Sequence, residues 1–438
     1  MRKLINLLII IVIITGTFAI LSGCNTEEGG WKVRVANTNL YSDNGYIDYA
    51  SDVYFYTTTC PDLAEEGLFW TTWDATTETI IQVAADSAEG AALIDPSKPT
   101  IINVHGVLAD GHYQQERYFL NGKIANPTEF DLDTENVNMN YLWIRAGYNV
   151  GNFHYNRHAS EVEEAFGITM PQYIEAKIWS TEGTQGVRYR HEDGTYSPKD
   201  ISEYSLAEHF AAEYIRAMKL LPESIGNEDI RIAAHSMGGE VATSGLFLLT
   251  ELADAGQISP SLLPDRLALL DSYFGVTIGE DINNLVYMGP KDINIRWSGK
   301  NIVDNNTGVM MLECIKDMVA NGIAVEYYTN ADSFLNIGMM TIINEFKQYV
   351  TYTIVFPDFQ GEGYTVLMDG HNGIREWYLC SILDSPIKDI TNGENSGEFS
   401  PSAAMTTAEI IAHKGKDYII VSGAQTVRAD DDTFIRLT

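Results

Sequence analysis

Segments with strand character and segments with helix character alternate along the middle of the chain, from about residue 100 to residue 383. Short β-branched runs such as "KPTIINVHG" (98–106) and "DIRIAAHS" (229–236) are typical of buried strands. Helical periodicity follows in "SLAEHFAAEYIRAMKLL" (205–221), which opens with a capping box, and in "GEVATSGLFLLTELADAG" (239–256). Because parallel strands are joined by crossover connections, this alternation predicts an α/β fold with a mostly parallel central sheet covered by helices.

The two ends of the chain differ from this middle part. Val, Tyr, Thr and Trp are frequent from about residue 31 to residue 85, which predicts several strands before the alternation begins. Near the C-terminus, residues 417–437 predict two or three further strands around turns. The predicted organisation is therefore an α/β domain over 36–385, insertions at about 107–140 and 156–200, and a linker with a small β-rich segment over 386–438.

The first 24 residues have the pattern of a secretory signal. Two basic residues precede an almost wholly apolar run from Leu4 to Leu21, and the run ends in Leu-Ser-Gly-Cys at Cys24. Small residues before a cysteine resemble the lipobox of bacterial lipoproteins. That resemblance implies that residues 1–23 are removed, that Cys24 carries a diacylglycerol, and that residues 24–35 tether the fold to the extracytoplasmic side of a membrane. The alternative is a membrane-spanning anchor, which leaves the position of Cys24 unexplained and for which the run is close to the lower length limit.

The charge balance excludes one broad class of function. The chain carries 60 acidic against 28 basic residues, a formal net charge of −32. Such a surface repels nucleic-acid phosphates and anionic lipid headgroups, so we expect no nucleic-acid partner and assign membrane attachment to the lipid anchor. The other cysteines, Cys60, Cys314 and Cys380, are too few for a disulfide framework, which leaves one bridge or buried free thiols as alternatives.

The stretch "RIAAHSMGGE" (231–240) places Ser236 between a predicted strand and a predicted helix. A nucleophile elbow needs this context, because a tight strand-to-helix turn exposes the hydroxyl at the carboxyl edge of the sheet. The positions two before and two after the serine must be small, and here they are Ala234 and Gly238. The helix N-terminus also favours negative charge near the hydroxyl. The alternative role for Ser236 is that of a helix N-cap.

"AHSMGG" resembles the nucleophile region of the α/β-hydrolase lipases and esterases, although the family more often has glycine in place of Ala234. The resemblance rests on four short motifs between about residues 95 and 385 and implies an α/β-hydrolase fold, whose triad follows the order serine, acid, histidine. Of the nine histidines, only His371 and His413 follow Ser236. His371 lies in Asp-Gly-His-Asn-Gly, predicted to be a loop before a helix, and is the expected base, whereas His413 is expected in an exposed turn.

Two aspartates fit the triad acid, which fixes the tautomer of the histidine and stabilises the imidazolium. Asp332 follows the second predicted strand after the serine, which is the commonest position in the family. Asp271 ends the first strand after it, where lipases of the pancreatic type have their acid. We expect Asp332 to be the acid, with Asp271 as its competitor.

An oxyanion hole needs two backbone N–H groups. The resemblance assigns one of them to Met237, directly after the nucleophile. It assigns the other to Val107, which follows His105-Gly106 at the end of a predicted strand. His105 is expected to hold that loop.

These residues predict a serine hydrolase that cleaves an ester or acyl-lipid substrate through an acyl-enzyme intermediate. No metal or other cofactor is expected, because the histidine spacings, such as His154 and His158, do not give a set of ligands. Two alternative functions are also consistent with the sequence. One is a peptidase or amidase that uses the same triad, and the other is a non-catalytic surface binding protein that keeps the fold. The 156–200 insertion, with Tyr173, Ile178 and Trp179, forms either an acyl-binding wall or ordinary packing.

Overall fold

A computed structural model gives the fold of the chain between residues 66 and 437. The described ranges are 66–77, 79–107, 139–161, 171–181, 185–191, 193–273, 294–295, 300–301, 307–330, 342–356, 367–383, 387–391, 400–421, 429 and 432–437. The predicted signal, Cys24, the tether, Cys60 and most of the 107–140 insertion lie outside these ranges. Within them, none of the helices is both long and apolar enough to cross a membrane.

The described residues form short strands and helices in alternation. The strands are β1 (Gly67–Asp74), β2 (Thr79–Ala84), β3 (Thr100–Val104), β4 (Asn149–His154), β5 (Ile230–His235), β6 (Arg266–Leu270), β7 (Asn294–Ile295), β8 (Lys300–Asn301), β9 (Ala324–Thr329), β10 (Thr351–Ile354), β11 (Lys388–Asp389), β12 (Asp417–Val421) and β13 (Thr433–Arg436). The α-helices are α1 (Ala88–Ala91), α2 (Met139–Arg145), α3 (Pro171–Trp179), α4 (Leu206–Lys219), α5 (Gly238–Asp254), α6 (Thr307–Ala320), α7 (Ile343–Phe346), α8 (Leu367–Cys380) and α9 (Thr407–Ala412). The predicted capping box is present at α4, where the side chains of Ser205 and Glu208 accept from each other's backbone N–H.

Eleven strands form one sheet in the order β11-β13-β12-β10-β9-β6-β5-β3-β4-β1-β2. The neighbours from β12 through β10, β9, β6, β5 and β3 to β4 run parallel. Antiparallel pairs flank this central part, since β1 pairs with β4 and β2, and β12 pairs with β13. The predicted α/β fold with a mostly parallel central sheet is therefore confirmed, and the predicted C-terminal strands extend that same sheet.

Helices cover both faces of the sheet, and each face has its own hydrophobic core. Helices α3, α4, α5 and α6 pack together on one face. Helices α2 and α8 pack against each other on the opposite face, together with α9 and the residues before it. The central strands are consequently buried on both sides, which explains why all six residues of β5 are buried rather than every second one.

A buried ion pair ties the C-terminal segment to the centre of the sheet. Arg266 on β6 donates from Nε and Nη2 to the two carboxylate oxygens of Glu326 on β9, both at 2.8 Å. Burial is the largest effect and opposes the charge on Arg266, but Glu326, together with Tyr378 and other neighbours, raises the pKa of the guanidinium overall. Tyr328 and Tyr378 also donate to Glu326, at 2.9 and 2.6 Å, and Arg266 Nη1 donates to the backbone oxygen of Met405.

The described part of the 156–200 insertion is packed into the domain. Lys177 donates to one carboxylate oxygen of Glu161 and Arg188 to the other, both at 2.6 Å. Ile178 and Trp179 are fully buried, and the indole of Trp179 lies in the core between α3 and α5. In this part of the insertion, ordinary packing is the arrangement found.

The two cysteines in the described ranges, Cys314 and Cys380, are both buried. Cys314 lies on α6 and Cys380 at the end of α8, where its Sγ is 3.7 Å from the sulfur of Met139. These two therefore do not form a disulfide with each other.

The substitution Glu326→Gln tests how much the buried pair contributes to stability. It leaves Arg266 charged and buried without its counter-ion, so we expect the free energy of unfolding to fall by about 3–5 kcal/mol. The control is Glu313→Gln, which removes an exposed pair with Lys316 on α6 and should cost at most about 0.5 kcal/mol. Urea unfolding measures both, and equal losses in the two variants would contradict the prediction.

Candidate active site

Four strands end side by side at the carboxyl edge of the sheet. The ladders pair Val104 with Ala234, His235 with Leu270, and Leu270 with Tyr328, so β3, β5, β6 and β9 end at neighbouring positions. The residues that directly follow these ends, on four different loops, therefore face one another across the edge. They are His105-Gly106-Val107, Ser236, Asp271 and Asn330.

Ser236 occupies a strained turn between β5 and α5. Its φ is +56°, and among the described residues the other non-glycine with positive φ is Asp271, at +41°. Such positions cost about 1–3 kcal/mol each and persist only where neighbouring structure enforces them. Here the N–H of Ser236 donates to the oxygen of Leu270 at 3.1 Å, and its own oxygen accepts from the N–H of Tyr273 at 3.1 Å. The alternative role as N-cap is wrong, because the N-cap of α5 is Met237.

Two glycines let helix α5 begin this close to the sheet. A Cβ at Gly238 would lie 2.3 Å from the backbone oxygen of His105, and one at Gly239 would lie 2.1 Å from the hydroxyl of Ser272. A Cβ at Gly106 would lie 2.5 Å from the Cβ of Ser236. The small residue predicted at Gly238 is therefore required, and the end of β3 is in contact with the serine.

His371 is paired with Asp271. Its Nδ1 lies 2.8 Å from Oδ2 of Asp271, and both side chains are buried. The other oxygen, Oδ1, accepts from the hydroxyl of Thr329 at 2.8 Å and from the N–H of Asn330 at 3.3 Å. A carboxylate only accepts, so Nδ1 carries the proton and Nε2 is the ring nitrogen able to accept one. Of the two predicted acids, the structure thus brings Asp271 to His371, while Asp332 lies outside the described residues.

His371 lies on a helix, which corrects the prediction of a loop. Helix α8 begins at Leu367, four residues before His371, and continues through Gly370 and Gly373. The glycines suggested a break, but packing of α8 against α2 and the sheet outweighs their low helix propensity. The predicted base therefore lies within a helix rather than in a loop.

His235, the residue before the serine, backs the ring of His371. The two ring centroids are 4.4 Å apart, and Nε2 of His235 donates to the backbone oxygen of His371 at 3.2 Å. Burial lowers the pKa of His235 well below its usual value, and the positive charges of His371 and Arg375 lower it further. The ring is neutral at pH 7, so no second cation opposes a proton on His371. Sequence reasoning missed this residue, because its contact joins segments more than 130 residues apart.

The two predicted oxyanion donors come from segments that adjoin Ser236: Met237 directly follows it, and Val107 follows Gly106, which is in contact with it. Met237 is fully buried at the start of α5, and Val107 is half-buried after β3. In the part of the chain that the structure describes, neither backbone N–H donates to a protein acceptor. Both are thus able to bind an oxygen of a bound molecule.

Two buried carboxylates lie behind the elbow. Glu240, in the first turn of α5, accepts from the indole N–H of Trp179 at 2.7 Å, and the hydroxyl of Thr307 donates to Glu175. Burial, and then the charges of Glu175 and Glu240, raise the pKa of the nearby Tyr273 well above its usual value. Tyr273 therefore keeps its proton, and the cluster fixes α3 and α6 against the start of α5.

His154 and His158, which lie four residues apart in the sequence, each form a hydrogen bond with a different side chain. His154 Nε2 donates to the side-chain oxygen of Gln82 at 3.0 Å, while His158 Nδ1 lies 3.0 Å from the carboxylate of Glu66. Among the described residues, no group of three or more His, Cys, Asp and Glu side chains is arranged to hold a metal ion.

Comparison with known proteins does not assign the chain to a family. No family model matches the sequence, and no curated protein matches it. The chemistry of the site therefore has to follow from its own residues and geometry.

The substitution Gly238→Ala tests the close approach of α5 to β3. Its Cβ would meet backbone atoms at 2.3 and 2.6 Å, so we expect the free energy of unfolding to fall by about 2–3 kcal/mol. Gly147→Ala is the control, because it has φ +91° but nothing within 4 Å of the added carbon, and it should cost about 1 kcal/mol from backbone strain alone. Thermal or urea unfolding compares them, and a Gly238 variant as stable as the Gly147 variant would refute the steric argument.

Proposed function

We propose that this protein is a serine hydrolase of the α/β-hydrolase type that cleaves carboxylic esters. One observation carries the proposal: the two strained non-glycine residues of the described chain, Ser236 and Asp271, end adjacent strands, and Asp271 holds Nδ1 of His371 at 2.8 Å. A serine on a strand-to-helix turn, a histidine and a buried carboxylate are the components of nucleophilic acyl transfer.

The topology of the sheet supports the same location for a substrate. Strand β4 lies on one side of β3 and β5 on the other, so the chain reverses its direction across the sheet at β3. The first described helix after β3 is α2, on one face, whereas α5 follows β5 on the opposite face. In open parallel sheets, ligands bind in the crevice that opens where successive connections diverge in this way.

In the proposed first half-reaction, Nε2 of His371 takes the proton of the Ser236 hydroxyl while Oγ forms a bond to the ester carbonyl carbon. The carbonyl π electrons move onto the oxygen, which the N–H groups of Met237 and Val107 bind. Each such donor typically supplies about 3 kcal/mol of transition-state stabilisation. The tetrahedral intermediate collapses, the C–O bond to the alcohol breaks, and the alcohol leaves with the proton from His371.

The second half-reaction releases the acid. His371 takes a proton from water, whose oxygen attacks the acyl carbon, and the bond to Oγ breaks as Ser236 regains the proton. The carboxylate of Asp271 accepts from Thr329 and Asn330 at one oxygen and from His371 at the other, so it holds the ring in place through both half-reactions. The neutral ring of His235 supports the imidazolium without adding charge beside it.

We further propose that the enzyme acts outside the cytoplasm on the surface of a membrane, through a diacylglycerol on Cys24. The lipobox-like "LSGC" and the apolar run before it support this location, and both lie outside the described residues. An ester or acyl lipid presented at that surface is the substrate class consistent with such an anchor. Growth with radiolabelled palmitate, with Cys24→Ala as control, measures the modification directly.

A fluorophosphonate probe tests the nucleophile. We expect wild-type protein to be labelled at Ser236, and Ser236→Ala to lose both the label and turnover of a short-chain aryl ester. Ser244→Ala is a matched control, since that buried serine donates within helix α5 and is not part of the proposed machinery. Unlabelled wild-type protein, or equal labelling of Ser236→Ala, would sink the proposed function.

A pair of aspartate variants tests the acid. Asp271→Asn removes the acceptor that fixes the tautomer of His371, so we expect kcat for the aryl ester to fall by about 10³–10⁴-fold. Asp332→Asn should change kcat by less than about threefold, because among the described residues Asp271 is the carboxylate paired with His371. The reverse ranking of the two variants would restore Asp332 as the acid.

A further inference from the structure

The loop after β3 is clamped by one tyrosine on the neighbouring strand. Tyr155, directly after β4, donates from its hydroxyl to the backbone oxygen of His105 at 2.6 Å. Its backbone N–H donates to Nε2 of His105 at 3.1 Å, and the two rings stack with centroids 4.3 Å apart and planes 11° apart. Both residues are fully buried, so the clamp is shielded from competing water.

This clamp fixes the tautomer of His105. Because Nε2 accepts from the N–H of Tyr155, Nε2 carries no proton, and the proton of the neutral ring is on Nδ1. Nδ1 lies 2.8 Å from the backbone oxygen of Gly106, so it donates to that oxygen. The hydrogen bond from His105 thus fixes the orientation of the Gly106 carbonyl.

The held carbonyl belongs to the peptide unit that carries the N–H of Val107. In a trans peptide the C=O and N–H are coplanar and point in opposite directions, so fixing the oxygen of Gly106 also fixes the N–H of Val107. Gly106 has no Cβ to restrict its rotation, and it is in contact with Ser236, where a side chain would not fit. Without the bond from His105, this peptide would be free to turn its oxygen toward the site in place of the N–H.

We propose that Tyr155 and His105 are positioning residues that lock the Gly106–Val107 peptide in the orientation that presents the N–H of Val107 to the oxyanion. The inference rests on the proposed function. It assigns no contact with substrate to either side chain. Tyr155 sets the tautomer of His105, and His105 sets the direction of the donor.

The neighbouring histidine is separate from this lock. The ring of His154 lies 6.2 Å from that of His105, and its Nε2 donates away from the loop to Gln82. The lock is defined by the contacts among Tyr155, His105 and Gly106.

Three variants separate the lock from general stability. His105→Asn keeps an amide donor near the position of Nδ1, His105→Gln moves the amide toward Nε2, and Tyr155→Phe removes only the hydroxyl. Tyr214→Phe is the matched control, because that buried tyrosine also donates to a backbone oxygen, at Leu262 and 2.7 Å, away from the site. The readouts are kcat and KM for an aryl ester, the inhibition constant of phenylboronic acid, whose tetrahedral adduct mimics the intermediate, and the thermal midpoint.

We expect His105→Gln to lower kcat by about 10²–10³-fold with KM within a few-fold, and to weaken phenylboronic acid by a similar factor. Rescue by His105→Asn to within about tenfold of wild type should follow, since it restores the donor to Gly106. Tyr155→Phe should lower kcat by about fivefold, the effect of one hydrogen bond, while Tyr214→Phe loses thermal stability with kcat unchanged.

The inference is overturned if His105→Gln binds phenylboronic acid as tightly as wild type, or if Tyr155→Phe and Tyr214→Phe have equal kcat. Should His105→Gln not fold, the comparison of the two tyrosine variants and of His105→Asn still decides. Fluorophosphonate labelling of wild-type Ser236 separates the two levels. If wild-type Ser236 is labelled but His105→Gln has unchanged kcat and inhibition constant, the lock alone is rejected. If wild-type protein is not labelled and shows no turnover that depends on Ser236, the proposed function and the lock are rejected together.

Discussion

The arrangement of the whole site depends on how closely helix α5 approaches the end of strand β3. No Cβ fits at Gly238 or Gly239, so the helix begins against the backbone of His105 and the hydroxyl of Ser272. With the helix that near, the chain has to turn within a single residue, and Ser236 takes a left-handed conformation to do so. The same approach brings Gly106 against the serine. One steric constraint therefore sets both the turn that carries Ser236 and the close contact of Ser236 with the loop after β3.

The remaining parts of the site are held by elements that are themselves buried and paired. Asp271 adopts its strained backbone at the end of β6, where its N–H donates to the oxygen of Tyr328 at 2.7 Å and its carboxylate accepts from β9. Helix α8 delivers His371 and is anchored further along by Tyr378, which donates to Glu326. The backbone strain at Ser236 and Asp271 is thus offset by packing and by hydrogen bonds elsewhere in the sheet. Hydrogen bonds and packing within the protein alone hold this site in one arrangement, which is what the proposed acyl transfer would require of its oxyanion hole.

Local patterns in the sequence predicted those features that depend on neighbouring residues. The alternation of strands and helices predicted the sheet, and small residues around Ser236 predicted a tight turn. Such local patterns do not predict contacts between segments that are far apart in the sequence. The choice of acid depends on which strand end lies beside His371, and spacing along the chain favoured Asp332 although β6 is the strand that brings a carboxylate there. His235 and Tyr155 were missed for the same reason, since one residue contacts α8 and the other clamps the loop after β3.

The C-terminal strands have a consequence for how the chain reaches this state. Strand β10 has β9 on one side, and its other side is paired by β12, more than 60 residues later. During synthesis from the N-terminus, the parallel centre of the sheet is complete up to β10 while β12 and β13 have not yet emerged. A buried strand left with one unpaired edge is a template for association with other chains. Strands β12 and β13 thus cover this edge of the sheet, and without them the edge of β10 would be left unpaired even though every residue of the proposed triad is already present.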